Sequence, residues 1–216
     1  MNNTSNNVIN SNISNDSITN NNIRKKNEDI IENKINDEEK IKNEINTNCL
    51  CKIQMQLKNG NRTENISGLG FLYYIESKHI RCLVTYNHII NLEFLNSEEN
   101  LIFYDYYGET KKEIDMKSNR FKYTNEALDI TIIEFNEDIY SNYIDIDENL
   151  YSKDYKDEEI YLIQYNESKI QYLNDKVLGK ENENLICSKI NASEGIILLK
   201  KNFKLIGIIN KNKKRK

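Results

Sequence analysis

The hydrophobic pattern of this chain changes at residue 49, and the change limits the folds that the chain can adopt. From Cys49 onward the apolar residues come in short runs, and Ile53, Met55 and Leu57 alternate with polar neighbours as in a half-buried β-strand. Similar runs recur almost to the end of the chain, and no long helical pattern follows residue 50. The pattern predicts an all-β chain of antiparallel strands, arranged as two barrels or sandwiches packed together.

The predicted strands are separated by short polar links. Two of them, 68–75 and 79–85, are joined by only three residues, which indicates a β-hairpin. The remaining predicted strands cover residues 101–104, 111–116, 128–135, 160–165, 169–173, 185–188, 196–199 and 204–209.

The first 48 residues have a different composition and form a separate N-terminal extension. Residues 1–23 are rich in Asn and Ser and too poor in apolar side chains to offset the entropy of ordering, so we expect disorder. Residues 24–44 carry mixed charge with isoleucines at helical spacing, which favours a solvated helix or, alternatively, a docking helix. The predicted organisation is an extension at 1–48, a β domain at 49–210 whose halves divide near 140–155, and a basic tail at 211–216.

Charge and cysteine content narrow the function classes. A net charge of -4 argues against nucleic-acid binding, and no stretch reaches the length of a membrane span. The N-terminus lacks the basic head and apolar core of a secretory signal, so we expect an intracellular, cytoplasmic protein. The four cysteines lack the spacing of a zinc site, which predicts reduced thiols and no metal or other cofactor. The basic tail is either a solvated end or a nuclear-import signal, which leaves a nuclear location open.

One of the two histidines, His88, occupies a position suited to proton transfer. It follows the apolar run 83–85, where a buried strand is expected to lead into a short helix. A histidine fixed by backbone on both sides, with an ordinary pKa of about 6.5, can exchange a proton near neutral pH. His88 is therefore a candidate general base, with a purely structural histidine as the alternative.

An aspartate and a serine lie at the edges of two later predicted strands. Asp129 begins an apolar strand, so its carboxylate is expected to turn inward and to need a partner such as a histidine N–H. The alternative is a solvent-exposed strand-edge carboxylate, as expected of Glu134. Ser193 lies in a polar turn between two strands, where a hydroxyl would be presented and loop amides could bind an anion.

These residues occur in the order His88, Asp129, Ser193, within segments that resemble a known family. The segments GLGF (68–71), LVTYNHII (83–90), LDITII (128–133), CSKINASEGIIL (187–198) and FKLIGI (203–208) are similar to the ordered landmarks of chymotrypsin/trypsin-like serine peptidases, and most similar to the non-secreted branch. The resemblance covers about residues 50–210.

The resemblance implies a double β-barrel with a site between the barrels. In that family the residue matching His88 is the general base, the one matching Asp129 fixes the histidine tautomer, and the one matching Ser193 is the nucleophile. The backbone N–H groups matching Asn191 and Ser193 would form the oxyanion hole. The implied activity is endopeptidase cleavage of a protein or peptide substrate through an acyl-enzyme, without a cofactor.

The serine loop departs from the family pattern, in which glycines flank the serine. Asn191 replaces a glycine whose N–H binds the oxyanion, and Glu194 places a carboxylate beside the nucleophile. An inward-facing Glu194 would oppose the developing negative charge, and an outward orientation would remove most of that conflict. The alternative function is therefore a catalytically impaired peptidase fold that binds peptides or acts as a scaffold. An unrelated β chain would leave His88 and Asp129 on opposite faces.

Overall fold

β-Strands make up nearly all the regular structure in a computed structural model of the chain. The predicted strand alternation around Ile53 is present, because Cys51, Ile53 and Met55 are buried while Gln54 is exposed. The structure describes residues 45, 49–59, 62–97, 100–105, 111–117, 119–135, 142–166, 169–181, 184–187, 189–190 and 194–210. Apart from Ile45, the predicted extension at 1–48 lies outside these residues, as does the basic tail at 211–216.

The described part of the chain contains one α-helix, α1 (Leu92–Leu95), and a short 3₁₀ helix (Glu76–Lys78). None of its helices has the length and apolar character needed to cross a membrane. Its strands are β1 (Leu50–Asn59), β2 (Arg62–Ile75), β3 (Ile80–Thr85), β4 (Leu101–Asp105), β5 (Lys111–Ile114), β6 (Lys122–Asn125), β7 (Ile130–Glu134), β8 (Glu159–Asn166), β9 (Lys169–Glu181), β10 (Asn184–Cys187), β11 (Glu194–Leu199) and β12 (Leu205–Asn210).

The strands form two curled antiparallel sheets, each a half-barrel. The first sheet has the order β5-β4-β1-β2-β3-β7-β6, and the second has the order β10-β9-β8-β11-β12. The prediction of an all-β fold is thus confirmed, with half-barrels as the observed form of its two sheets. In chain order, the first sheet ends at Glu134 and the second begins at Glu159.

The hairpin that leads to His88 has the predicted strands and link. Strands β2 and β3 pair from Phe71↔Val84 to Ile75↔Ile80, and the 3₁₀ helix forms the link between them. His79 ends that helix in the left-handed conformation, with φ 53°, and donates its backbone N–H to the Glu76 carbonyl. The strand that precedes His88 is therefore held in the middle of the first sheet, between β2 and β7.

The second sheet packs around a continuous apolar core. Strands β8 and β11 lie at its centre and contribute alternating residues of each strand, because successive side chains point to opposite faces. Tyr155, which precedes β8, belongs to this core and is fully buried. The buried residues of the core are Tyr155, Ile160, Leu162, Val177, Ile197, Leu199, Ile206 and Ile209.

All four cysteines are in the thiol form, as the sequence predicted. Burial raises the pKa of the Cys49 thiol to about 12. Burial also raises the pKa of Cys82 to about 12 and that of Cys187 to about 11. These three thiols are therefore protonated at neutral pH and are poor nucleophiles.

Candidate active site

His88 lies in a tight turn between β3 and α1, as the sequence predicted. The turn is closed by the N–H groups of Ile89 and Ile90, which both donate to the Tyr86 carbonyl at 3.1 and 3.0 Å. The helix that follows is capped by Asn91, whose side chain accepts the Phe94 N–H at 2.9 Å. Hydrogen-bonded backbone on both sides therefore fixes the position of the imidazole.

Asp129 ends a turn that leads into β7, the strand beside β3. Its backbone is left-handed, with φ 52°, a conformation that Asp and Asn adopt more readily than most residues. Pairing of Thr131 with Thr85 aligns the start of β7 with the end of β3. This register brings Asp129 beside the turn that carries His88, and only 7% of its surface is exposed.

The Asp129 carboxylate binds His88 with both of its oxygens. Oδ1 accepts the backbone N–H of His88 at 2.9 Å, and Oδ2 lies 2.8 Å from Nδ1 of the imidazole. A carboxylate at Nδ1 favours the tautomer whose proton is on Nδ1, which leaves the lone pair of Nε2 free to accept a proton. The histidine side chain is 34% exposed, so another group can reach it. Two of the three predicted triad residues are thus in direct contact.

The predicted nucleophile Ser193 and the predicted oxyanion residue Asn191 lie outside the described residues. The chain is described again from Glu194, which directly follows Ser193 and opens β11. Glu194 and Gly195 therefore give the nearest structural information on the serine loop.

Glu194 is buried and faces the first sheet. Only 5% of it is exposed, and its Oε2 accepts the backbone N–H of Leu69 in β2 at 3.0 Å. The ladder between β2 and β3 ends at the pair Phe71↔Val84, so Leu69 has no partner from β3. The Thr85 hydroxyl donates to the Leu69 carbonyl at 2.9 Å, and Glu194 takes the N–H. The Glu194 side chain therefore faces inward and not outward.

Burial makes Glu194 a weaker acid than an exposed glutamate. Removal from water raises its pKa to about 7, although the Leu69 N–H and His88 both favour the ionised carboxylate. The negative charge of Asp129 raises the pKa further. Near neutral pH, Glu194 is therefore a mixture of the neutral and charged forms.

Tyr86, which directly follows β3, also links the two sheets through its side chain. Its hydroxyl accepts the N–H of Gly195 at 2.7 Å and donates to the Gly195 carbonyl at 2.6 Å. The tyrosine is 2% exposed, and burial raises the pKa of its hydroxyl. Its ring centroid lies 5.4 Å from that of His88. We did not predict this role from the sequence.

Two glycines allow close packing around this site, Gly68 between the two sheets and Gly195 within the second sheet. A Cβ added to Gly68 would lie 2.0 Å from Ile89 Cδ1 and 2.8 Å from Glu194 Oε2. A Cβ added to Gly195 would lie 2.4 Å from the Ile163 carbonyl oxygen. Any side chain at either position would displace the groups that surround the site.

Among the residues with described side chains, no group of three or more His, Cys, Asp or Glu could hold a metal ion. No protein-family model matches this sequence, and a search of curated proteins gives no match. The evidence on function is therefore the sequence order of His88, Asp129 and Ser193 and the geometry around His88.

Proposed function

We propose that this protein is a serine endopeptidase with a trypsin-like double β-barrel, in which His88 is the general base, Asp129 orients it and Ser193 is the nucleophile. The observation that carries the proposal is the contact of the Asp129 carboxylate with both the backbone N–H and Nδ1 of His88. A buried carboxylate on Nδ1 is the arrangement that prepares Nε2 to accept a hydroxyl proton.

In the proposed reaction, Ser193 Oγ forms a bond to the carbonyl carbon of a peptide, and His88 Nε2 takes the hydroxyl proton. The oxyanion that forms would be bound by the N–H groups of Asn191 and Ser193. His88 then gives the proton to the leaving nitrogen as the C–N bond breaks. Water hydrolyses the resulting ester by the same proton transfers, which returns Ser193 and releases the second product.

Two observations support Ser193 as the nucleophile. It directly precedes Glu194, whose carboxylate is close enough to His88 and Asp129 for both charges to affect its pKa. The nearest cysteine in sequence, Cys187, has a pKa raised to about 11 and is therefore a poor competitor. Because Ser193 and Glu194 are consecutive in the chain, this proximity favours a site between Ser193 and His88.

A second candidate function is a peptide-binding or scaffold module that has lost most catalysis. The observation in its favour is the buried Glu194, because a charged carboxylate beside the nucleophile opposes a developing oxyanion. Replacement of the usual glycine by Asn191 adds to this, since the loss of one oxyanion donor typically costs about 10²- to 10³-fold in turnover. The neutral fraction of Glu194 near pH 7 reduces the conflict.

The proposed partner is a protein or peptide substrate, with no cofactor, nucleic acid or membrane required. The proposed location is intracellular, with a nuclear location as the alternative. Four cysteines in the thiol form support a reducing compartment.

Labelling with a fluorophosphonate tests the proposal. We expect stoichiometric modification of the wild-type chain, lost in Ser193→Ala and kept in the control Ser152→Ala, which removes an exposed hydroxyl in another turn. Absence of reaction under conditions that label trypsin would instead favour the binding module.

A further inference from the structure

Two consecutive residues that follow Ser193 are bound to the first sheet. Glu194 reaches across with its side chain to the Leu69 N–H at 3.0 Å, and Gly195 is bound through its backbone by the Tyr86 hydroxyl. One link is made by the side chain of Glu194 in β11, and the other is made by the side chain of Tyr86, which directly follows β3. Within the second sheet, Glu194 and Gly195 are paired with β8 and β12, and the two links additionally attach the start of β11 to the first sheet.

The burial of Glu194 is costly. Its described hydrogen-bond donor is the neutral Leu69 N–H, and the effect of burial on its pKa outweighs the favourable effects of this N–H and of His88. A carboxylate buried on a single neutral donor is much less well compensated than an ion pair. This unfavourable burial occurs at the residue directly after Ser193, which indicates that the carboxylate has a role there.

We propose that Glu194 is a positioning residue, whose side chain fixes the segment after Ser193 against the sheet that carries His88 and Asp129. The inference rests on the proposed function, because it assumes that Ser193 must be held within reach of the imidazole. Glu194 acts through its bond to Leu69 and takes no part in the proton transfers. The Tyr86 link fixes Gly195, and the Glu194 link fixes the residue next to the nucleophile.

Two substitutions separate the hydrogen bond from the charge. In Glu194→Gln, the amide oxygen can still accept the Leu69 N–H in nearly the same shape, without a charge. In Glu194→Ala, the N–H loses its acceptor and the link is lost. A matched control is Glu134→Ala, because the Glu134 side chain accepts the Phe121 N–H at 2.7 Å and both residues belong to the region of the first sheet. That control removes a similar bond without breaking a link between sheets.

The experiment measures the fluorophosphonate labelling rate of Ser193 in the full-length wild type and the three variants, together with their thermal unfolding. We expect Glu194→Ala to react at least tenfold more slowly, Glu194→Gln to recover to within about threefold of the wild type, and Glu134→Ala to keep the wild-type rate. A purely structural role predicts that rate follows unfolding temperature, so that a destabilised Glu134→Ala would also slow. Wild-type reactivity in Glu194→Ala, or no recovery in Glu194→Gln, would overturn the inference and leave the proposed function standing.

Hydrogen exchange at the Leu69 amide separates failure of this inference from failure of the proposed function. An unreactive wild-type chain contradicts the proposed function, and the exchange data then decide whether Glu194 fixes the segment. We expect at least tenfold faster exchange at Leu69 in Glu194→Ala than in Glu194→Gln, with no such change in Glu134→Ala. Equal exchange in the two Glu194 variants would overturn the positioning role.

Discussion

Asp129 binds His88 at two points, the backbone N–H at 2.9 Å and the ring Nδ1 at 2.8 Å. Each carboxylate oxygen serves one of these groups, so the aspartate fixes the turn and the ring together. It does so from a left-handed backbone conformation with φ 52°, which Asn also tolerates. Asparagine is therefore the substitution that disturbs the backbone least.

Asp129→Asn is expected to abolish most activity while the chain remains folded. The amide can keep the bond from the His88 backbone, but it cannot stabilise an imidazolium and favours the wrong tautomer. We expect the labelling rate to fall by roughly 10³- to 10⁴-fold, as such a change does in triad enzymes. Labelling kinetics and thermal unfolding measured on the same samples would check this. A rate within tenfold of the wild type would contradict the proposed role of Asp129.

Glu194 is expected to make stability depend on pH. Its pKa is raised from 4.5 to about 7 in the folded chain, so its protonated form is favoured by folding. The stabilisation is fully present below pH 4.5 and is lost as pH rises through about 7. Glu194→Gln does not titrate, so the wild type should lose up to about 3 kcal/mol relative to that variant over this range.

Urea unfolding of the wild type and Glu194→Gln at several values between about pH 5 and about pH 8 measures this difference directly. Other titrating groups are shared by the two proteins and largely cancel. A difference in unfolding free energy that does not change with pH would show that Glu194 does not titrate in the expected range.

Tyr86→Phe is expected to destabilise the fold substantially. The substitution leaves both the N–H and the carbonyl of Gly195 without the Tyr86 hydroxyl, which is buried. We expect a loss of roughly 2–4 kcal/mol in unfolding free energy. Tyr123→Phe is the control, since that tyrosine is 41% exposed, and it should change stability by less than about 0.5 kcal/mol. Equal effects of the two changes would argue against the Tyr86 link.

Gly195→Ala is expected to be destabilising because the new methyl group would meet backbone. A Cβ there would lie 2.4 Å from the Ile163 carbonyl oxygen, which cannot move without disturbing β8. We expect a loss of about 2–3 kcal/mol in chemical unfolding. Gly207→Ala, whose Cβ would meet side-chain atoms at 3.2 and 3.3 Å, should stay within about 1 kcal/mol of the wild type. A Gly195→Ala variant as stable as Gly207→Ala would show that the backbone at Ile163 moves at little cost in free energy.

The strands were predictable wherever burial of one face gives the sequence an alternation of apolar and polar residues. The alternation in β1 and the β2–β3 hairpin are examples, because their side-chain pattern follows directly from strand geometry. Strand β6 was missed, since Lys122–Asn125 has no apolar alternation and its strand conformation is accompanied by pairing with β7. Strand β9 was predicted only to residue 173, whereas it continues to Glu181 through a segment that begins with three polar residues. Tertiary pairing decides such segments.

The site was predictable only in part. The sequence predicted that Asp129 turns inward, because an aspartate beside apolar strand residues needs a buried partner. It did not predict the inward Glu194 or the role of Tyr86. Their bonds to Leu69 and Gly195 join residues 125 and 109 positions apart, so no local pattern contains them. Contacts between sheets depend on how the half-barrels pack, which periodicity does not specify.

Activation of Ser193 by His88 is tested by the fluorophosphonate labelling rate of His88→Ala relative to the wild type, with the modified residue identified by peptide mass. If the His88–Asp129 pair activates Ser193, removal of the imidazole should slow labelling at Ser193 by at least about 10²-fold, with the fold retained. Labelling of His88→Ala at the wild-type rate, or at a serine other than Ser193, would contradict the account.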